Sequence, residues 1–144
     1  MKIVVDAMGG DHAPDAIIEG AVLAAREYGI EIILTGLSDR LEKCLSDYED
    51  MTKLPIKIVH AEDVVKMHDS PSKVLRSKKN SSIKVGLDLV KNNLASAFVS
   101  AGNTGAVLAF STITLRPLKG VDRPAIAIQL PTLKGPTILL DAGA

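Results

Sequence analysis

Ala97-Phe98-Val99-Ser100-Ala101-Gly102-Asn103-Thr104-Gly105-Ala106 passes from an apolar strand candidate, through a small polar turn with two glycines, into an apolar helix candidate that runs to about Leu115. Strand, turn and helix in this order form the unit from which a parallel sheet flanked by helices is built. In such a turn the first N–H groups of the helix have no acceptor of their own and point at one spot, which small side chains leave open to an anion. A helix start contributes about 0.3–1 kcal/mol towards a bound negative charge, and roughly 2 when partly buried. The same residues read equally well as an ordinary connection in which Asn103 is the N-cap.

Outward from this stretch the unit recurs. Ile3–Val5, Glu31–Thr35, Ile56–His60, Ala97–Ser100, Ala125–Gln129 and Thr137–Leu140 are short, mostly β-branched runs suited to burial on both faces. Between them the spacing turns helical. Pro14 suits a first helical position, Gly29 closes that helix, and Ile17, Ile18, Ala21, Ala25 and Tyr28 form its apolar face. Ser38 is placed to cap a helix carrying Leu41, Leu45 and Tyr48; Ser70-Pro71 opens a short third, and Ser82 a fourth with Ile83, Leu87 and Val90. The expectation is an α/β fold with a mainly parallel sheet flanked by helices and no internal domain boundary over residues 1–144. Thr137 to Ala144 reads as a strand entering an unfinished glycine turn, as in an incomplete part of a longer α/β chain.

Composition narrows the function classes. Aromatic residues are only 3% of the 144, so Ile, Val, Leu and Ala must build the core. A net charge of +0 gives no whole-molecule attraction to nucleic acid. The single cysteine, Cys44, excludes an internal disulfide framework and fits a packed, inert thiol. Without a signal peptide or an apolar run of the roughly 18 residues a span requires, a cytoplasmic location is expected, with at most a peripheral contact to the membrane.

Three further stretches could carry chemistry. Asp6-Ala7-Met8-Gly9-Gly10-Asp11-His12 sets two carboxylates, a histidine and a glycine pair at the carboxyl end of the first strand, where open α/β sheets bind ligands. Capping of the helix at Pro14 is the plainer role for Asp11 or His12. From Ser70 to Leu87 the chain carries Lys73, Arg76, Lys78, Lys79 and Lys84 with no acidic residue, and Lys78-Lys79-Asn80-Ser81-Ser82 adds amide and hydroxyl donors at a helix start. That composition suits a phosphate or an acidic partner, although runs of charge are commonly just solvated. Arg123, held extended before Pro124, can serve an anion or simply Asp122. Neither the dinucleotide fingerprint nor the P-loop occurs, and His12, His60 and His68 lack zinc spacing, so no metal and no cofactor is expected.

Taken together, Val5 to Asp11, Lys78 to Ser82, Ser100 to Ala106, Arg123-Pro124-Ala125 and Leu140-Asp141-x-Gly143-Ala144 closely resemble the acyl-acyl-carrier-protein:phosphate acyltransferases of bacterial phospholipid synthesis. The resemblance covers essentially the whole chain, with Ser96 and Ala142 where that family usually has Asp and Val. It implies a fold resembling the isocitrate and isopropylmalate dehydrogenases and a length more than twice this one. It also implies a homodimer, and transfer of a fatty acyl group from acyl carrier protein to orthophosphate. On this reading Gly102, Asn103, Thr104 and Gly105 bind phosphate or an oxyanion, with Lys78, Lys79 and Ser81 binding phosphate or the carrier protein on the basic stretch 73–84. Asp6, Asp11 and His12 orient the turn or shuttle a proton. The alternatives are a phosphate acetyl- or butyryltransferase using acyl-coenzyme A, and a non-catalytic fragment that binds carrier protein.

Overall fold

In the computed structural model, which describes residues 1–49 and 53–142, Lys2–Asp6 (β1), Glu31–Gly36 (β2), Ile56–His60 (β3) and Ala97–Val99 (β4) form one sheet in the order β3-β2-β1-β4. All three pairings are parallel, and Asp6 at the end of β1 stands level with Thr35 on β2. Strand side chains alternate between faces, and the helices divide accordingly. α1 (Asp15–Tyr28) and α2 (Ser38–Leu45) cover one face, packing Ile18, Val22, Leu41 and Leu45 on Ile32 and Leu34. α3 (Pro71–Ser77), α4 (Ser82–Lys91) and α5 (Thr104–Thr114) cover the other, where Val74, Ile83, Leu87, Ala106 and Phe110 cluster. Each of these side chains larger than alanine contributes about 1.5–3 kcal/mol by leaving water. Thr35 fastens this second layer by donating its hydroxyl to the carbonyl of Ser82 at 3.0 Å.

Details at the helix ends depart from expectation. Pro14 flanks α1 as its N-cap instead of opening it, and Tyr28 is exposed because the buried stripe runs through Ile18, Ala21, Val22 and Ala25. Leu37 stands at the N-cap of α2, while Ser38 turns its hydroxyl to Nδ1 of His60 at 3.1 Å. Ser82 opens α4 as expected, and the residue before it, Ser81, caps the helix by accepting from the Lys84 N–H at 3.3 Å.

The largest departure lies near the end of the chain. Ala127–Thr132 (β5) and Gly135–Leu140 (β6) pair antiparallel as a separate two-stranded sheet, not as buried parallel strands. Both are exposed throughout. A parallel crossover needs a dozen or more residues, whereas the chain reverses here within Leu133-Lys134, with Gly135 at φ 116°. Arg123 pairs across this hairpin with Asp141 at 2.8 Å and not with Asp122.

Residues 61–70, after β3, form a strap along the carboxyl edge of the sheet. Ala61 N–H donates to Gly36 at 2.8 Å, and Asp63 bridges to Ser81. Farther on, Lys78 Nζ donates to the Val64 carbonyl and to Asp69 Oδ2, both at 2.6 Å. The Lys78 ammonium, then the Lys66 N–H, holds the Asp69 carboxyl below its ordinary value.

Two results follow from this packing. A Cβ at Gly86 in α4 would lie 2.7 Å from Phe98 Cδ2, whereas at Gly20 in α1 nothing lies within 4 Å. Gly86→Ala is expected to lower stability in urea denaturation, because overpacking of about 1–3 kcal/mol outweighs a helix-propensity gain of about 1. Gly20→Ala keeps only the gain and raises stability; the same sign at both positions would contradict the packing. For Asp69, a folded-state value below the unfolded one means that its stabilisation is present above the ordinary carboxylate range near about 3.9 and is lost as pH falls through the lowered value. In Lys78→Gln its carboxyl ¹³C titration midpoint is expected to rise to the ordinary range. An unmoved midpoint would show that Lys78 does not hold the strap.

Candidate carboxyl-edge site

With β1 between β2 and β4, the chain winds one way through β2 and β3 and returns on the other side as β4. The crevice beyond the carboxyl ends of β1 and β4 is therefore the switch point at which open α/β sheets take ligands. Two turns meet there, and a carboxylate joins them. Asp6 is fully buried; its Oδ1 accepts from the Met8 N–H at 3.2 Å and its Oδ2 from the Ser100 hydroxyl at 2.7 Å. Ser100 Oγ in turn accepts from the Gly102 N–H at 3.0 Å. The turns approach so closely that a Cβ at Gly9 would strike Asp6 Oδ2, and one at Gly102 would lie 3.0 Å from Gly9 Cα. The first turn continues through Gly10 at φ 118°, which a side chain would strain.

The expected site residues take different parts in this arrangement. Asn103 is the N-cap of α5, accepting from the Ala106 N–H at 2.9 Å. Its Nδ2 donates to the carbonyls of Lys66, Met67 and Asp69 at 3.3, 2.8 and 2.9 Å, so the whole amide is engaged between helix and strap. Thr104 is exposed beside it, and Gly105 lies under α3, where a Cβ would come 2.9 Å from Pro71 Cγ. As first-turn amides, Thr104 and Gly105 have no acceptor within their helix. Lys78 anchors the strap and Ser81 is a buried cap, so both serve the fold directly; Lys79 is exposed. Asp11 and His12 are exposed on the β1–α1 turn and give α1 no side-chain cap.

The basic stretch is thinner than its sequence indicates. Lys78 pairs with Asp69 and Lys84 with Asp88, leaving Lys73, Arg76 and Lys79 exposed around α3. Cys44 is half-buried and donates to Asp15 Oδ1 at 3.4 Å; burial, then that carboxylate, pushes its thiol up and away from thiolate chemistry. Among the described residues no group of three or more His, Cys, Asp or Glu is arranged to hold a metal, and no helix is long and apolar enough to cross a membrane.

Between the β1–α1 turn and the strap lies a cleft of about 290 Å³, lined by Gly10, Asp11, Arg40, Lys66, Met67 and His68 among others. Arg40, Lys66, His68 and Ser100 are residues that sequence reasoning does not single out. For Ser100 a signal exists, since it stands two residues before a glycine in the deciding stretch. Arg40 looks like any solvated position on α2, and Lys66 and His68 belong to no periodic pattern.

Comparison with known proteins identifies the family. Residues 1–144 match the family described as fatty acid synthesis protein. A phosphate acyltransferase of Geotalea uraniireducens is 53% identical over 143 residues, covering 99% of this chain and 41% of the relative. The phosphate acyltransferases of Geobacter sulfurreducens and Clostridioides difficile are 52% and 49% identical, with 99% and 100% of this chain covered and 41% and 42% of theirs. The chain thus spans about two-fifths of the length of these curated relatives. With the match running from end to end, this chain belongs to the fatty acid synthesis protein family.

Proposed function

We propose that this chain supplies one wall of the active site of an enzyme that transfers a fatty acyl group from acyl carrier protein to orthophosphate, giving acyl phosphate for phospholipid synthesis. The observation that carries the reading is the pair of glycine turns joined through Asp6, Ser100 and Gly102 at the switch point. The names of the relatives supply the phosphate and the acyl group. In the reaction a phosphate oxygen attacks the thioester carbonyl, the tetrahedral oxyanion collapses, and the thiolate of the phosphopantetheine arm leaves. Orthophosphate is already partly dianionic at neutral pH, and a thiol with a pKa near about 8.5 leaves readily. The protein's part is positioning and charge stabilisation.

In this reading the residues take the following roles. Thr104 and Gly105 N–H groups, at the start of α5 beside Gly102, receive the oxyanion. Asn103 holds that helix start against the strap and is a positioning residue. Asp6, buried and bonded to both turns, orients them, while the exposed His12 and Asp11 are placed to move a proton at the rim. Lys73, Arg76 and Lys79 form the dock for the acidic carrier protein, with Lys78 and Ser81 supporting it from within. A longer fold like that of the isocitrate and isopropylmalate dehydrogenases, a homodimer, and a cytoplasmic enzyme with at most peripheral membrane contact belong to the same reading. The parallel sheet supports the first of these. Acyl-coenzyme A remains the competing donor, and rates with both thioesters side by side decide between them.

The chain, mixed with the part of the Geobacter sulfurreducens relative that it does not match, is expected to turn long-chain acyl-acyl carrier protein and orthophosphate into acyl phosphate, trapped as the hydroxamate. Equal hydroxamate without orthophosphate, or none at all, would overturn the reaction. In the same mixture Lys73→Glu with Lys79→Glu is expected to weaken carrier-protein binding about tenfold at low salt and to flatten its salt dependence. Unchanged affinity and salt slope would remove the dock.

A further inference from the structure

We infer that the cleft between the β1–α1 turn and the strap seats a phosphate group, held by Arg40, Lys66 and His68. The inference rests on the reading above for the identity of the molecule that carries the phosphate. Nothing in the family match assigns these three residues, and they come from distant parts of the chain: α2 for Arg40, the strap for Lys66 and His68.

Size and charge both fit. The cleft of about 290 Å³ exceeds by several-fold the roughly 30 Å³ share of one water, so it admits a phosphate group together with part of an attached arm. Three basic side chains line it against one acidic side chain, Asp11. Among the described residues neither Arg40 nor Lys66 has an ion pair, whereas Lys78 close by is neutralised by Asp69. An arginine offers a planar fork matched to two phosphate oxygens, and a lysine adds a point charge.

The scaffold is rigid where it counts. Lys66 N–H donates to Asp69 Oδ2 at 2.8 Å, and the Lys66, Met67 and Asp69 carbonyls are held by Asn103. The base of Lys66 is thereby fixed from both sides, and His68 stands between the held carbonyls of Met67 and Asp69. Arg40 reaches back over the first turn, Nη2 to the Ala13 carbonyl at 3.5 Å, which aims the guanidinium along the cleft wall. Binding then orders only the side-chain tips, which keeps the cost of association low. The start of α5 offers fewer side-chain donors, because the Asn103 amide is engaged, and it is crowded where Gly105 lies under Pro71.

The phosphate can belong to orthophosphate or to the phosphodiester of a pantetheine arm, and binding separates the two without turnover. Amide and arginine ¹H–¹⁵N spectra of the 144-residue chain would be recorded during titration with orthophosphate and, separately, with the methyl phosphodiester of 4′-phosphopantetheine. Shifts are expected at Gly10, Lys66 to His68 and Arg40 Nε. Affinity should fall about tenfold in Arg40→Gln and in Lys66→Gln, less in Arg40→Lys, and not in Lys91→Gln. Tighter binding of the ester assigns the cleft to the carrier arm, and tighter orthophosphate assigns it to the acceptor; either supports the site. Shifts confined to Thr104 and Gly105, no shifts with either probe, or equal affinity in Arg40→Gln, Lys66→Gln and Lys91→Gln would overturn it. Because the readout is binding, loss of the acyl-transfer reading leaves this result standing, and acyl transfer that persists with unchanged phosphate affinity in the variants removes the site alone.

Discussion

The carboxyl edge depends on one buried carboxylate. Asp6 stands at the end of the central strand β1 with no exposure to solvent, where an unpartnered charge would cost several kcal/mol. Its oxygens are instead satisfied by one donor from each turn, the Met8 N–H and the Ser100 hydroxyl. Because those donors belong to segments about a hundred residues apart in sequence, satisfying Asp6 also sets the relative position of the turns. The glycines at 9 and 102 then follow from space, since a side chain at either would push the turns apart. A motif that looks in sequence like two separate ligand loops is, in three dimensions, one joined surface.

A second layer of fastening redistributes the polar groups. Asn103 and Lys78 both read in sequence as ligands for an anion, and both are bonded to the strap, Asn103 through three carbonyls and Lys78 through Val64 and Asp69. An asparagine after a glycine at a helix start is equally suited to bind phosphate or to cap, and composition cannot choose between the two. The choice is made by whatever chain segment passes overhead. Here that segment is the strap, which nothing in the spacing of residues 61–70 places. Arg40, Lys66 and His68 are invisible for the same reason: each is ordinary in its own neighbourhood, and only the path of the strap from β3 towards α5 brings them around one cleft.

The fold was far more legible than the site, because hydrophobic periodicity reports directly on burial. β1 to β4 lie within a residue or so of the β-branched runs, and among the described residues α1 to α5 start within a residue of where glycines, prolines and capping residues place them, whereas α2 stops at Leu45, short of the expected Tyr48. Where the reading failed, the missing ingredient was length. Only seven residues separate Gln129 from Thr137, too few for the crossover that a parallel pair requires, and a glycine within them marks the hairpin that forms. Apolar character predicted two strands correctly and their burial wrongly, because alternation and β-propensity say that a segment is extended and not what lies against it.

Neutrality of the whole chain conceals a division of charge with consequences for any acidic partner. Asp69 is paired with Lys78 and Asp88 with Lys84, so these residues cancel where they stand, while Glu31 is shared by Lys2 and Lys57 at the opposite end of the strands. What remains near the carboxyl edge is uneven. Asp11, Asp15, Glu19 and Asp47 line a depression of about 560 Å³ between α1 and α2, while Lys66, Lys73, Arg76 and Lys79 lie exposed on the strap and around α3. An acidic protein approaching this edge is repelled from the first side and attracted to the second, and the cleft with Arg40 and His68 lies at the border between them. With the formal charge summing to +0, attraction acts only within about a Debye length, roughly 8 Å at physiological salt. The field therefore does little to gather a partner from solution and much to orient one already in contact.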